Sequence, residues 1–282
     1  MRGIAPAVGA AILLLGACTH PPEHHYNRTR GATAGEMFGD LGVARLAQAA
    51  CAGDAGHVIE AVRNGVDPNS ISVGLDEFDG HVTPLLWAID CGNARGIDAL
   101  LRVGADPNQS TGGRDGLTPV LAAADSRNPA VLRLLLQNGG DPNAISQVGG
   151  YTALRAAFDL GLGTESWENW NALLDAGANI DTAFYGGHGT IATYAATINR
   201  FDKVVELLEH GYSYELTFLG FTLQRGTEQP GMREPQFPVP PLTAEAEAAR
   251  QRAIAILVQR GVRFPISRED VGIRDPAVPA SN

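Results

Sequence analysis

GADPN (Gly104–Asn108) has two near-copies in this chain, GVDPN (Gly65–Asn69) and GGDPN (Gly139–Asn143). Each follows a leucine- or valine-rich run such as VLRLLLQNG. A glycine at the end of such a run suits the left-handed conformation that closes a helix. In the residues after it, proline pins φ while the flanking Asp and Asn bond the local backbone of a turn. The pentapeptide therefore reads as the exit turn of a helix, a structural device in which no catalysis is expected. Its glycines recur at near-constant intervals: Gly65 to Gly104 is 39 residues, Gly104 to Gly139 is 35, Gly139 to Gly177 is 38 and Gly177 to Gly211 is 34. A last one, Gly261, follows after 50.

A second element recurs in register upstream of these glycines. It reads TPLLWAIDCGN from Thr83, TPVLAAADSRN from Thr118, TALRAAFDLG from Thr152 and TIATYAATINR from Thr190, with a degraded form, ARLAQAACAGD, from Ala44. Threonine, twice followed by proline, fits an N-cap and first helical residue. Small residues such as Ala122, Ala123 and Ala124 allow close packing of the first helix, and the second helix is longer and apolar on one face. Together the two signatures resemble ankyrin repeats, units of about 33 residues built as turn, helix, helix and loop. The resemblance covers Leu41 to Gly211, five units. It implies an all-α solenoid of five to six helix-turn-helix units joined by short finger loops.

Two departures stand out. Extra residues around Leu162–Trp167 lengthen the turn between the helices of the fourth unit, over which Trp167 and Trp170 would pack. After Gly211 comes an insertion over 214–240, whose first part alternates like a β-strand and whose second is rich in Pro and Gly. A longer helix capped by Thr243 then completes a modified sixth unit. The domain so defined spans 36–264, and 265–282 reads as a disordered tail.

The opening MRGIAPAVGAAILLLGAC reads as a signal peptide over 1–17: a short positive start at Arg2, then an apolar run too short to span a bilayer stably. Leu15-Gly16-Ala17-Cys18 resembles a bacterial lipobox, which implies lipidation at Cys18 and a flexible tether over 18–35. Thr19 in place of Asp after the cysteine implies an outer-membrane lipoprotein facing the periplasm, held through its lipid anchor alone.

With 21 basic residues against 31 acidic, a formal charge of −10 and a single lysine, Lys203, the chain lacks the Lys/Arg clusters that nucleic acid requires. The balance suits a basic protein partner. No nucleophile elbow, HExxH, CxxC or phosphate loop is present. His24-His25 lacks a third ligand, and Asp76, Glu77 and Asp79 lack the alternating spacing of a calcium loop. No catalytic residue, metal or cofactor is expected, and the chain reads as a monomer when unbound. Cys51 and Cys91 fall at equivalent places in adjacent units. Stacked helices stand about 8–10 Å apart and a disulfide needs Cα atoms within about 7 Å, so both are expected as thiols.

Ankyrin arrays bind proteins with the finger tips and the exposed ends of the first helices. Seven residues after each cap threonine stand Asp90, Asp125 and Asp159, a negative stripe on the concave side. The fingers add Asp76, Glu77, Asp79 and Asp115, with apolar or aromatic tips at Leu75, Phe78, Phe184 and Tyr185. Aromatic anchors inside a charged rim suit a binding hot spot. Trp87, on the first helix of the second unit, reads either as core, the preferred assignment, or as a concave-face contact. Ankyrin-type envelope lipoproteins resemble immunity proteins, which neutralise toxic enzymes delivered between cells. The resemblance implies a non-catalytic binder that inhibits a partner; the alternative is an adaptor or stabiliser of a resident periplasmic enzyme.

Overall fold

The computed structural model describes residues 33–73, 81–111, 116–146, 150–183, 189–225 and 241–272. Among them are thirteen α-helices and no strand; the only extended pairings are isolated bridges, Ile145 with Thr152 and Ala183 with Thr190. A short α1 (Ala34–Phe38) precedes six helix pairs: α2 (Leu41–Ala52) and α3 (Ala55–Arg63), α4 (Pro84–Cys91) and α5 (Ala94–Arg102), α6 (Pro119–Ala124) and α7 (Pro129–Gln137). Next come α8 (Ala153–Thr164) and α9 (Glu168–Asp175), α10 (Ile191–Thr197) and α11 (Phe201–Glu209), and α12 (Leu216–Arg225) and α13 (Ala244–Gln259). First helices stack on first helices and second on second, giving the solenoid that the two signatures predict.

The threonines act as helix caps. Thr83, Thr118, Thr152, Thr190 and Thr243 each accept the backbone N–H three residues on. Gly65, Gly104, Gly139, Gly177, Gly211 and Gly261 all have φ between 79° and 98°, and a Cβ at any of them would meet nothing within 4 Å. Backbone conformation, and not crowding, demands glycine there. The core is continuous through the array, with each unit contributing a few aliphatic side chains, as Val131, Leu132 and Leu135 do on α7. Each such side chain fully buried is worth roughly 1.5–3 kcal/mol.

Two sets of asparagines stitch the units together. In the exit turns, Asn69 Nδ2 donates to Gly104 O and Asn69 Oδ1 accepts from Asp106 N; Asn108 repeats this with Gly139 O and Asp141 N, and Asn143 Oδ1 accepts from Asn179 N. At the opposite end, Asn93, Asn128 and Asn169 at the starts of second helices donate to carbonyls closing the preceding unit's first helix. Each set satisfies backbone groups that helix ends leave unpaired.

Several expectations are corrected. Cys51 and Cys91 form a disulfide, with Cα atoms 5.4 Å apart. The general helix spacing fails here because the packing face of α2 is alanine (Ala44, Ala47, Ala50) and Gly96 opens α5 to the end of α2. A Cβ on Gly96 would fall 1.7 Å from the Ala50 carbonyl oxygen. The strand-like stretch after Tyr214 is helix α12, which buries Leu219, Phe221 and Leu223. Its alternation of apolar residues also satisfies a helix whose two faces are covered, by α10 and α13. The extra residues of the fourth unit extend α8 to twelve residues against six in α6, more than they lengthen the turn. Gly161 accommodates this, since a Cβ there would lie 2.5 Å from the Trp167 ring. Residues 265–272 are ordered: Gln224 exchanges hydrogen bonds with the Ile266 backbone, Ile266 is buried, and a 3-10 turn spans Glu269–Val271. At the other end, α1 begins inside the expected tether, where Ala34 is already core.

Candidate protein-binding face

The three aspartates keep their register, Asp90 in the last turn of α4 and Asp125 at the end of α6, but Asp159 falls in the middle of the longer α8, and their settings differ. Asp90 is exposed, Asp125 half-buried and Asp159 almost enclosed, at 11% side-chain exposure. Arg155, one helical turn before Asp159, places its Nε 2.9 Å from both carboxylate oxygens. The Tyr151 hydroxyl donates to Asp159 Oδ2 at 2.8 Å, and the Arg155 guanidinium stacks on the Tyr194 ring at 3.8 Å. Burial raises the Tyr194 phenol to about 12, against which Arg155 works; burial also raises that of Tyr151, reinforced by the Asp159 charge. At the third position of the row the carboxylate is thus part of an ion pair set on an aromatic platform. In the sequence, Arg155 is legible only as an i, i+4 partner of Asp159.

Two partly buried aromatics flank this row, each four residues after its cap threonine: Trp87 on α4 and Tyr194 on α10. Trp87 meets Phe38 edge-on at 6.1 Å, so α1 covers one side of it. Between units four and five, Phe158, Trp167, Trp170 and Tyr194 fill the space that alanines fill elsewhere. Lys203 is buried at this junction, with its ammonium 4.2 Å from the Trp167 ring centre and 2.7 Å from Glu206 Oε2. Glu206 Oε1 accepts from the Trp170 indole. Trp167 and Trp170 therefore serve packing, as their position beside the extended α8 implies.

On the finger side, Asp76, Glu77, Phe78, Asp79, Asp115, Phe184 and Tyr185, with Leu75, lie outside the described residues, as do Cys18, the signal segment and residues 226–240. The described finger arms expose Ile71, Val73 and Ile145. The sequence alone does not mark these three; each follows an exit turn by a few residues, and the Val73 N–H donates to the Met37 carbonyl of α1. Among the described residues no group of acidic, His or Cys side chains could hold a metal ion.

A stack of helix pairs with turn asparagines in register is a repeat scaffold of the kind that contacts other proteins. The family model for ankyrin repeats matches residues 46–146 and 85–183, and this stretch of the chain is an ankyrin-repeat array. Ankyrin repeats are generally non-catalytic protein-interaction modules. No curated protein matches the chain.

Proposed function

We propose that this chain is an envelope-tethered binding protein that captures, and inhibits, a basic partner such as a toxic effector enzyme on its acidic concave rim. The observation that carries the reading is the register of Asp90 and Asp125, which fall at equivalent places at the ends of neighbouring first helices. Two carboxylates at a repeat spacing raise the local concentration of a positively charged partner and orient it. The disulfide between Cys51 and Cys91 suits an oxidising compartment, in keeping with the lipobox-like Leu15–Cys18 and a periplasmic address on the outer membrane.

The test is capture from envelope extract on the immobilised protein over a salt series, beside a variant with Asp90, Asp125 and Asp159 all changed to Asn. A salt-sensitive, hydrolase-like partner that the variant fails to retain supports the inhibitor reading. Retention unaffected by the triple change would sink the acidic rim, and a resident housekeeping enzyme on the column would favour the adaptor.

A further inference from the structure

Three of the large apolar side chains that the described residues expose lie at the N-terminal end of the array: Leu41 at 69%, Val73 at 67% and Ile71 at 45%. Val73 sits against α1, its N–H donating to the Met37 carbonyl at 3.1 Å. A Cβ on Gly39, two residues before Leu41, would stand 3.8 Å from both Val73 methyl carbons. Ser72, between Ile71 and Val73, is buried and accepts the Val82 N–H on its hydroxyl, so its two apolar neighbours face outward together. Arg45, one helical turn beyond Leu41 on the same face of α2, is exposed as well.

A solenoid ordinarily closes its ends with polar surface. At the far end the exposed apolar residues are Leu242, just before the cap of α13, and Val258 in its last turn, and the sixteen residues of that helix hold them about 24 Å apart. At the N-terminal end they adjoin. They are too few to hold a second protein: three side chains compare with roughly 20–30 residues a side in a stable interface.

Next to this surface the chain runs toward its anchor. On the reading of Cys18 as lipidated, on which this inference rests, the lipid is joined to Thr33, the cap of α1, by fifteen residues (33 − 18), a reach of at most about 54 Å. We propose that the surface formed by Leu41, Ile71 and Val73 docks on the lipid bilayer, so that the array stands on its first unit. The anchor makes this contact intramolecular, and a surface too small to capture vesicles from solution then suffices. Leu41 and Val73 enter the headgroup boundary, and Arg45 reaches a lipid phosphate while its stem stays apolar. Glu36 and Asp40 are exposed beside them, their carboxylates engaged in capping α1 and α2. Two acids at this rim favour zwitterionic over anionic lipid.

The test uses the full chain, produced with methyl labels, extracted from the envelope, weighed by mass spectrometry and reconstituted in phosphatidylcholine nanodiscs containing a doxyl-labelled lipid. Methyl NMR signals of Leu41, Ile71 and Val73 should lose most of their intensity, while those of Leu242 and Val258 keep theirs. Leu41→Glu combined with Val73→Thr should restore the Ile71 signal without lowering the melting temperature, because both side chains are exposed. Exchanging part of the lipid for phosphatidylglycerol should weaken the broadening. A mass without lipid would remove the anchoring reading and this proposal with it. A lipidated chain whose three methyl-bearing residues broaden no more than Leu242 and Val258 overturns the docking alone. Shifts at the same methyls that grow with protein concentration in the lipid-free Cys18→Ser chain would assign the surface to a second copy and overturn it too.

Discussion

Asn108 Oδ1 accepts the backbone N–H of Asp141 at 2.7 Å, while the Nδ2 of the same side chain donates to Gly139 O at 2.8 Å. One amide thus holds the exit turn of its own unit against the next. Asn143 makes only the acceptor half of this arrangement, to Asn179 N. Each hydrogen bond of this kind contributes about 1 kcal/mol. Asn108→Ala should therefore cost about 2 kcal/mol and Asn143→Ala about 1 kcal/mol, with the order set by the number of bonds lost. Urea unfolding with equal m-values would read this directly, and equal midpoints for the two variants would refute the ladder as a source of stability.

The Cys51–Cys91 bond closes a loop with a sequence separation of 40. Chain-entropy arithmetic for that length gives about 4 kcal/mol of stabilisation. Adding reductant should lower the thermal midpoint markedly, and the double change to alanine should abolish that sensitivity. Alkylation of the unfolded, non-reduced chain should leave both cysteines unlabelled. Labelling of both would remove the bond and this prediction with it.

Two glycines with opposite requirements make a paired test. Gly96→Ala drives a methyl into the Ala50 carbonyl and must separate α5 from α2, at a cost of about 3 kcal/mol or more. Gly163→Ala adds a methyl to open space in a helix and should stabilise by about 0.5–1 kcal/mol. Melting curves of the two variants should move in opposite directions; a shared direction would contradict the packing described at one of the two sites.

How far the sequence discloses the fold depends on which of the physics is local. The Thr caps and left-handed glycines are set by a residue and its immediate neighbours, so TPLLWAID and GADPN already specify helix starts, helix ends and the repeat. The disulfide depends on how closely α4 settles on α2, whose buried side chains include Ala44, Ala47 and Ala50, and a general spacing rule overestimates that distance. Helix α12 reads as a strand because alternation over a short run fits a strand and a doubly covered helix alike. For the site, register alone places Asp90, Asp125 and Asp159 at equivalent positions, and it marks Arg155 only as lying one helical turn from Asp159, with a side chain that could equally point to solvent. Enclosure between Tyr151 and Tyr194 turns it onto Asp159.

That enclosure predicts a functional asymmetry along the rim. Arg155→Met uncovers the Asp159 charge at 11% exposure and should destabilise by about 2 kcal/mol, most of it recovered in Arg155→Met with Asp159→Asn. If the rim selects a basic partner, the single change should also steepen the salt dependence of association by adding net negative charge. A double-mutant cycle combined with association rates at two ionic strengths measures both effects. Additive stabilities would show that the pair is not coupled.

His57 and its cap residue Asp54 give the clearest pH signature. Asp54 accepts the His57 backbone N–H at 3.1 Å, and its second oxygen lies 2.6 Å from the imidazole Nδ1. The side-chain hydrogen bond raises the His57 pKa above 6.5, and the bonds from His57, backbone first, lower that of Asp54 below 3.8. A raised histidine contributes stability that is fully present below its unfolded pKa and is lost as pH rises through the folded value. A lowered carboxylate contributes stability present above its unfolded pKa and lost as pH falls through the folded one. The pair is therefore strongest between roughly pH 4 and 6.5 and weakens on either side. Both groups face water, so the effect on global stability is small and local titration is the proper readout. The His57 ring proton should titrate by NMR with a midpoint above 6.5 in the parent. Asp54→Asn, which keeps an N-cap acceptor, should return it toward 6.5. A parent midpoint at or below that value, or one unmoved by the substitution, would show that the carboxylate does not hold the imidazolium in solution.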